Sequence, residues 1–278
     1  MGAIIIGIPG FAKSDTNGRF ILTLTYARII VETDMRILVV SDVHANLAAL
    51  NAVIQHAGAF DQVWCLGDLV GYGPEPNECI ERLRAFDLLC LAGNHDLAVV
   101  GKLPLWDFNA DAKEAISWSR FRISAANQAW LETLPSMTVV KEFGITLAHG
   151  SPRDPIWEYV FTPAVARASF ESTETPICLN GHTHVPLVFR KPEFESGIVV
   201  DRLYVNAPLS LKVDRWLINP GSVGQPRDDD PRAAYLLLDT ETLAVIHHRV
   251  QYDVAATQTK MKEAKLPGGL IRRLRFGQ

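Results

Sequence analysis

The sequence contains no CxxC pair, and its four cysteines are widely separated. Cys65, Cys90 and Cys178 lie inside apolar runs, and Cys79 lies in a stretch with helical spacing. Disulfide frameworks and sulfur-ligated zinc sites are built from closely spaced sets of cysteines, which this chain lacks. We therefore predict buried, reduced thiols in a cytoplasmic protein.

An excess of positive charge is also absent. Lysine and arginine number 27 against 31 aspartate and glutamate residues, so the net charge is −4. This balance argues against bulk nucleic-acid binding, although it allows a local basic pocket for a phosphate group. The apolar run AIIIGIPGFA at residues 3–12 is too short to span a bilayer, and no positively charged segment precedes it. We expect no membrane association.

No Gly/Ser linker or shift in composition divides the chain, and 48% of its residues are hydrophobic, so it can bury a large single core. The exception is the beginning. Met35 opens the segment MRILVVSDVH, which has the form of a natural start. We interpret residues 1–34 as a non-native or disordered extension upstream of the true initiator, and residues 35–278 as one domain.

After Met35, strand-like runs alternate with segments of helical spacing at 47–58 and 77–86, which predicts a sheet with crossover helices. Residues 104–135 predict a helical hairpin. Its expected packing residues are Trp118, Phe121, Trp130 and Leu131. From residue 185 onward, short β-rich pieces predict a second sheet made mainly of hairpins, and the basic C-terminal residues predict a solvated tail.

The most informative pattern is a set of polar side chains that directly follow five apolar, strand-like runs. Because consecutive buried strands of an open α/β sheet end at one rim, these side chains should converge there. Asp42 and His44 are separated by one residue, so extended backbone would project both to the same side, and His182 and His184 repeat this spacing. The candidate ligands are Asp42, His44, Asp68, Asn94, His149, His182 and His184.

Two carboxylates, four imidazoles and one amide are too many ligands for one tetrahedral zinc, but they fit two divalent ions that share a bridging carboxylate. Asp68 is the natural bridge because it is the only carboxylate between the two groups in chain order. Two such ions can clamp a phosphoryl centre and lower the pKa of water from about 15.7 to about 7, which supplies a hydroxide nucleophile. We expect manganese, with iron, zinc, nickel or cobalt as alternatives.

These motifs resemble the calcineurin-like metallophosphoesterase superfamily over about residues 35–225. The matching segments are DxH at 42–44, GD at 67–68, GNHD at 93–96, AHG at 148–150 and GHTH at 181–184. The resemblance implies an α/β fold, a four-layer αββα sandwich of two mixed sheets flanked by helices. It also implies two metal sites, one held by Asp42, His44, Asp68 and His184 and the other by Asp68, Asn94, His149 and His182. His95 would face the substrate, as a proton donor or by stabilising phosphoryl charge.

One departure from the family narrows the function. Protein serine/threonine phosphatases, and the symmetrical diadenosine tetraphosphatases that resemble them, continue the second motif as GDxxDRG. This chain reads GDLVGYGPEPN at 67–77 and lacks both the aspartate that orients the catalytic histidine and the arginine that binds phosphate. Phosphoprotein hydrolysis is therefore disfavoured. The stretch, together with NPGSVGQPR at 219–227, instead resembles a bacterial and archaeal subgroup of small phosphodiesterases.

Candidate substrate-binding residues are Arg153, Arg227 and Tyr72. Within the segment 219–227, Asn219, Pro220 and Gly221 predict a turn, whereas Arg227 is the better functional candidate because a guanidinium can bind phosphate through two hydrogen bonds. The aromatic residues Trp157, Tyr159 and Phe161 either stack on a nucleobase or pack into a core.

The sequence thus predicts a two-metal phosphoesterase. The expected activity is that of a phosphodiesterase acting on a nucleotide or other small organic phosphate by attack of a metal-bridging hydroxide. One alternative is hydrolysis of dinucleoside polyphosphates such as diadenosine tetraphosphate. Another is a catalytically silent metal-binding scaffold, although all seven ligands and His95 are present. The oligomeric state stays open.

Overall fold

The structure, a computed structural model, describes residues 4–9, 13–14, 20–21, 24–29 and 34–278. Two compact units divide the chain at Met35. In the first unit, β1 (Ile4–Pro9) pairs antiparallel with β4 (Leu24–Ile29), and β2 (Lys13–Ser14) pairs antiparallel with β3 (Phe20–Ile21). Half of residues 1–34 lie outside the described residues, and the interpretation of this segment as a non-native or disordered extension stays a prediction.

The second unit contains two six-stranded mixed sheets. The strands of the first sheet, in order across it, are β13 (Pro208–Ser210), β16 (Ala244–Val250), β15 (Ala233–Asp239), β5 (Arg36–Val40), β6 (Gln62–Cys65) and β7 (Leu88–Cys90). Strands β5, β6 and β7 are parallel, and β15 joins them antiparallel to β5. The antiparallel pairs of β15 with β16 and of β16 with β13 complete this sheet.

The second sheet has a parallel centre and antiparallel edges. Its strands, in order, are β12 (Val199–Asp201), β11 (Pro186–Lys191), β14 (Arg215–Pro220), β10 (Ile177–Asn180), β9 (Ile145–Ala148) and β8 (Met137–Val140). Strands β9, β10 and β14 run parallel, while β8 and β11 flank them antiparallel.

Helices cover the outer faces of the sheets. They are α1 (Leu47–Ala57), α2 (Pro76–Arg84), α3 (Asn94–Val99), α4 (Ala110–Arg122), α5 (Ala125–Leu131), α6 (Pro163–Glu171), α7 (Val254–Glu263) and α8 (Gly268–Arg273), with a 3-10 turn at Leu105–Asp107. Helix α1 shows why they form. The Asn46 side chain caps it by accepting a hydrogen bond from Ala49 N at 3.2 Å, and apolar residues at helical spacing bury its inner face.

Both faces of the first sheet are buried, which produces the predicted four layers. Leu38 and Val40 pack with α1, α2 and α4, while Ile37 and Val39 alternate to the opposite face and are equally inaccessible. On the outer face of the second sheet, Phe189 and Leu217 pack with Phe170 of α6. The two mixed sheets flanked by helices confirm the αββα sandwich.

The β-rich second half of the chain does not form one separate sheet, so that prediction is wrong in its grouping. Strands β11, β12 and β14 extend the sheet that contains β8, β9 and β10, whereas the β15–β16 hairpin returns to the first sheet beside β5. The reason is that β15, with six consecutive buried residues, completes the hydrogen bonding of β5 over four residue pairs. Sequence periodicity carries no information on which edge a hairpin joins.

Helices α4 and α5 confirm the predicted helical hairpin, and its Leu131 is fully buried. Phe121 is 90% exposed, so its assignment to the core is wrong. The prediction of a solvated C-terminal tail is also wrong, because Leu270 and Ile271 of α8 and Leu274, the residue after it, are buried.

The four cysteines are buried and unpaired, as predicted. The cytoplasmic location inferred from them stays a prediction. Among the described residues, no helix has both the length and the apolar character needed to cross a membrane.

Candidate metal centre

The polar side chains that follow β5, β6, β7, β9 and β10 meet in one place between the two sheets. Two overlapping groups offer donor atoms that all lie within 4.8 Å of one another within each group. The first group contains Asp42, His44, Asp68 and His184, and the second contains Asp68, His149 and His182. Every member is buried. The side chains converge as predicted, but not at the rim of one sheet, because β5, β6 and β7 belong to the first sheet and β9 and β10 to the second.

The backbone that carries these ligands is not extended, which corrects the expectation for Asp42, His44, His182 and His184. All four adopt left-handed backbone, with φ of 52°, 48°, 69° and 61°, and Asp68 does so with φ of 53°. Residues with a Cβ rarely adopt this conformation, and such strain is concentrated at functional sites. The strand-to-loop turns, rather than strand alternation, direct these side chains to a common point.

In the first group, two histidine nitrogens face each other without a hydrogen between them. His44 Nδ1 donates to Val70 O at 3.1 Å and His184 Nδ1 donates to Gln225 O at 2.6 Å, since a carbonyl oxygen can only accept. Each neutral ring therefore presents the lone pair of its Nε2, and the two Nε2 atoms are 3.1 Å apart. Two lone pairs at that distance repel unless a cation lies between them. Asp42 Oδ1 lies 3.4 Å from His184 Nε2 and accepts no hydrogen bond from any described residue.

The second group repeats the arrangement. His149 Nδ1 donates to Leu66 O at 2.9 Å, which leaves the Nε2 lone pair directed at Asn94 Oδ1, 3.2 Å away, and at His182 Nδ1, 3.1 Å away. Backbone carbonyls that fix the tautomer of a histidine in this way are the usual outer partners of metal-binding imidazoles. Asn94 thus joins the second group through its side-chain oxygen.

Asp68 connects the two groups. Its Oδ2 lies 3.5 Å from His44 Nε2 and 3.6 Å from His149 Nε2, while its Oδ1 accepts a hydrogen bond from His95 N at 2.9 Å. The backbone of Gly93 lies against this carboxylate so closely that a Cβ there would collide with Oδ1. One oxygen is therefore fixed by the backbone, and the other is free to face both groups.

The electrostatics of the cluster match a cation site. Burial raises the pKa of Asp42 to about 7 and that of Asp68 well above its usual value, with the charge of Asp96 adding to the effect on Asp68. Burial likewise lowers the pKa of His44, His182 and His184 well below the usual histidine value. Neutral imidazoles are the form that binds metal, and a bound cation would keep the carboxylates ionised. The residues present therefore fit divalent metal ions.

Comparison with known proteins agrees with this geometry. The family model of the calcineurin-like phosphoesterase superfamily domain matches residues 35–243. The chain belongs to the calcineurin-like phosphoesterase superfamily. As a member, it is a hydrolase of phosphoric esters whose cluster binds divalent metal ions, and the alternative of a silent scaffold loses its support.

Individual relatives of this calcineurin-like phosphoesterase support the same assignment. An uncharacterised protein of Methanocaldococcus jannaschii is 38% identical over 249 residues, which cover 87% of this chain and 98% of the relative. The structure of a metallophosphoesterase from Sphaerobacter thermophilus is 44% identical, with a TM-score of 0.80, and the match covers 88% of this chain and 100% of that one. A hypothetical protein from Pyrococcus horikoshii OT3, with 21% identity and a TM-score of 0.72, shares the fold over 87% of this chain and 98% of its own.

In this calcineurin-like phosphoesterase, His95 lies beside the metal cluster and is held by packing. Its ring centroid is 4.3 Å from that of Tyr72, 4.8 Å from that of His44 and 5.2 Å from that of Phe108. A Cβ added to Gly71 would lie 2.5 Å from His95 Nδ1, and this nitrogen has no hydrogen-bond partner among the described residues. Nε2 is therefore the ring nitrogen that is available to a substrate.

Asp96 does not orient His95. Its carboxylate accepts hydrogen bonds from the backbone N–H groups of Leu69 at 3.2 Å, Val70 at 3.0 Å and Gly93 at 2.9 Å. It thereby joins the loop after β6 to the first turn of α3. Because that loop carries Asp68 and that turn carries Asn94 and His95, Asp96 fixes the distance between the bridging carboxylate and the other site residues.

A cavity of about 90 Å³ opens above the metal ligands and His95. Its walls include Tyr72, Phe108, Trp157, Tyr159 and Arg227. The structure therefore brings the predicted Tyr72 and Arg227 to the site. Phe108 went unrecognised in the sequence, because it lies between a 3-10 turn and α4 in a segment whose pattern indicates only helix packing.

Arg153 is placed elsewhere. Its guanidinium forms an ion pair with Glu158, half of its side chain is exposed, and it does not line the cavity. The structure gives no support to its predicted role in substrate binding. Trp157 and Tyr159, by contrast, line the cavity, and Tyr159 stacks on the ring of His182 at 4.2 Å with an angle of 7° between the planes.

Proposed function

We propose that this protein is a phosphodiesterase with two divalent cations and that it cleaves a nucleotide or another small organic phosphate. The observation that carries the proposal is the position of Asp68 Oδ2, 3.5 Å and 3.6 Å from histidine nitrogens of the two groups. Cations held by the seven ligands would polarise a phosphoryl oxygen and lower the pKa of a water that serves as the nucleophile. We propose manganese, with iron, zinc, nickel or cobalt as alternatives, because ligands of this type accept all five.

His95 is the proposed acid that assists departure of the leaving group. Burial, reinforced by the positive charge of Arg227, lowers its pKa well below the usual value, so the ring is neutral in the free protein. A bound phosphate would favour the protonated form, because an opposite charge nearby raises the pKa of a histidine. Packing against Tyr72 and Gly71 holds the ring so that Nε2 can donate to the leaving oxygen.

Arg227 is the proposed phosphate-binding cation of the protein itself. Its Nη2 donates to Gln225 Oε1 at 2.9 Å and lies 3.4 Å from the Tyr72 hydroxyl, so the guanidinium is held at the cavity wall. A guanidinium fixed in this way can bind a phosphoryl oxygen without losing further side-chain freedom.

The size of the cavity supports a substrate that is only partly enclosed. Its volume of about 90 Å³ is well below the roughly 300 to 1,000 Å³ of pockets that enclose a whole drug-sized ligand. The phosphate would therefore be buried, and its organic groups would lie against the rim. Tyr159 is 44% exposed, and the face of its ring opposite His182 offers a surface on which a nucleobase can stack.

A dinucleoside polyphosphate hydrolase is the second candidate. A symmetrical bis(5′-nucleosyl)-tetraphosphatase of Erwinia tasmaniensis is 29% identical over 155 residues, which cover 51% of this chain and 54% of that protein. The same metal cluster and the same aromatic rim would serve such a substrate, so the two candidates differ in how many phosphates the cavity accepts.

A substrate panel on metal-stripped protein reloaded with manganese tests both candidates. The three substrates are p-nitrophenyl phosphate, bis-p-nitrophenyl phosphate and diadenosine tetraphosphate. We expect kcat/KM to be highest for the diester or for the dinucleotide, and Asp68→Asn in the same panel controls for contaminating phosphatases. A preference for the monoester, or activity that survives in Asp68→Asn, would contradict the proposal.

A further inference from the structure

The chain crosses from the second sheet to the first between β14 and β15, and it passes directly beside the metal cluster. The turn predicted at residues 219–221 is strand in part, because Asn219 and Pro220 are the last residues of β14, and Gly221 follows with a φ of 83°. We call residues 219–227 the crossover segment. It forms hydrogen bonds with both of the loops, one from each sheet, that carry ligands of the first metal group.

Asn219 holds the loop that carries His182 and His184. It is 1% exposed, and its Nδ2 donates to Gly181 O at 2.6 Å and to Thr183 Oγ1 at 2.9 Å. Its Oδ1 accepts from a backbone N–H of the crossover segment at 2.8 Å, so both hydrogens of the amide and one lone pair are used. Because Thr183 lies between the two histidines, one amide fixes the backbone that carries a ligand of each metal group.

The middle of the crossover segment holds the loop that carries Asp42 and His44. Ser222 is fully buried, and its Oγ donates to Asp42 O at 2.7 Å. The same carbonyl accepts from Gly224 N at 3.0 Å. A Cβ on Gly224 would collide with Val43 O, so the segment and the loop lie against each other with no room for a side chain.

The end of the crossover segment contacts a metal ligand directly. Gln225 O accepts from His184 Nδ1 at 2.6 Å, and Arg227 N donates to His184 O at 3.2 Å. The four ligands on these two loops all have left-handed backbone. In residues with a Cβ, such backbone persists only where the surrounding structure over-determines it. The hydrogen bonds of the crossover segment provide that constraint.

We propose that the crossover segment positions the metal ligands, with Asn219 acting on both metal groups and Ser222 acting mainly on the first. Both are positioning residues, since neither lines the cavity above the metal cluster. A segment that is bonded to one ligand loop of each sheet fixes the separation of the two loops. This inference rests on the two cations of the proposed function, but it does not depend on which phosphoester is the substrate.

Binding of Mn²⁺ to metal-stripped protein, measured by calorimetry, tests the role of Asn219. Two reference variants each keep one metal group intact, His182→Ala the first and His184→Ala the second. Added to either, Asn219→Ala should lower the Mn²⁺ affinity by about 10- to 100-fold, the usual cost of losing a group that orients metal ligands. Asn127→Ala is the matched control, because Asn127 is 2% exposed and its side-chain amide forms hydrogen bonds with helix α2.

Ser222→Ala provides a second readout that separates the two loops. It should lower the Mn²⁺ affinity about tenfold where the first group is retained and much less where the second is, because Asp42 and His44 belong to the first group. Ser169→Ala is its control, since Ser169 is fully buried and its Oγ also donates to a backbone carbonyl, in α6. Should Asn219→Ala not fold, Ser222→Ala decides alone.

Urea unfolding of the metal-free proteins separates positioning from a general loss of stability. A purely structural role would lower the stability of Asn219→Ala and Ser222→Ala, as in the two controls, and leave the Mn²⁺ affinity unchanged. Mn²⁺ affinities equal to those of the controls would therefore overturn the proposal. If wild-type protein binds two Mn²⁺ and cleaves none of the substrates, while both variants lose Mn²⁺ affinity as stated, the positioning role stands and the proposed function fails.

Discussion

The ring of Tyr72 lies 4.3 Å from the ring of His95, whose Nδ1 has no hydrogen-bond partner among the described residues. Gly71 packs on the same imidazole at Nδ1. The GYG segment at 71–73 thus replaces the missing aspartate of the GDxxDRG motif with an aromatic ring and a glycine. Because the His95 ring is oriented by close contacts on its faces and edges, a single methyl group added beside it should change its orientation.

Gly71→Ala tests this mode of orientation. Its φ is +85°, and the new Cβ would lie 2.5 Å from His95 Nδ1, so His95 must move. We expect kcat to fall by about 10²-fold, the effect of a displacement near 1 Å, with metal content retained. Gly101→Ala is the control for backbone strain alone, because Gly101 has a φ of +81° and nothing within 4 Å of the added Cβ. Equal losses in both variants would show that contact with His95 is not the cause.

His95→Ala tests the acid. Removal of the proposed proton donor should lower kcat by roughly 10²- to 10⁴-fold. Metal content should stay near normal, because it is the backbone N–H of His95, not its ring, that binds Asp68. His56→Ala, at an exposed histidine that contacts Tyr235 Oη, serves as the matched control. Unchanged turnover of His95→Ala would refute the assignment.

Asp68→Asn tests the proposed role of the Asp68 carboxylate as a bridge between the two metal positions. Oδ2 faces both histidine groups, so its replacement should lower the occupancy of both metal positions, measured by elemental analysis after gel filtration. Asn94→Ala should lower only the second, because Asn94 Oδ1 faces His149 alone among the ligand contacts described. Retention of two metals per chain in Asp68→Asn would rule out the bridging role.

His247 is expected to contribute to the loss of folding stability at acid pH. It is 2% exposed, and burial, followed by the charge of Arg249, lowers its pKa to about 4. Between that value and the unfolded value near 6.5, the unfolded chain binds more protons, so the free energy of unfolding falls as the pH drops. The full loss at acid pH is roughly 3 kcal/mol, since each tenfold change in the proton-binding constant is worth about 1.4 kcal/mol.

Urea unfolding of wild type and His247→Gln between pH 7 and pH 4 measures this contribution. The metal cluster titrates in both proteins, so the difference between their pH profiles isolates His247. The variant should lose less stability than wild type over this range. Parallel profiles would mean that His247 is protonated in the folded state at its ordinary pKa.

Much of the site was predictable because its residues directly follow strands in the chain. A strand that ends in a small residue and a polar residue is a local pattern, and five such patterns pointed to the six residues that the two groups bring together and to the neighbouring Asn94 and His95. The parallel order of β5, β6 and β7 follows from the same local alternation of strand and helix. The placement of β15 beside β5 and the packing of α8 depend on contacts between distant segments, and both were predicted wrongly.

The sequence alone determined which chemistry is present: a histidine- and carboxylate-rich donor set, the absence of the phosphatase motif, and a candidate phosphate-binding Arg227. Only the tertiary structure decided the left-handed backbone at five of the candidate ligands and the hydrogen bonds that aim His44 and His184 at each other. The physical reason is that residue type and spacing are local properties, whereas the orientation of a ring or a guanidinium is set by whatever packs against it from elsewhere in the chain.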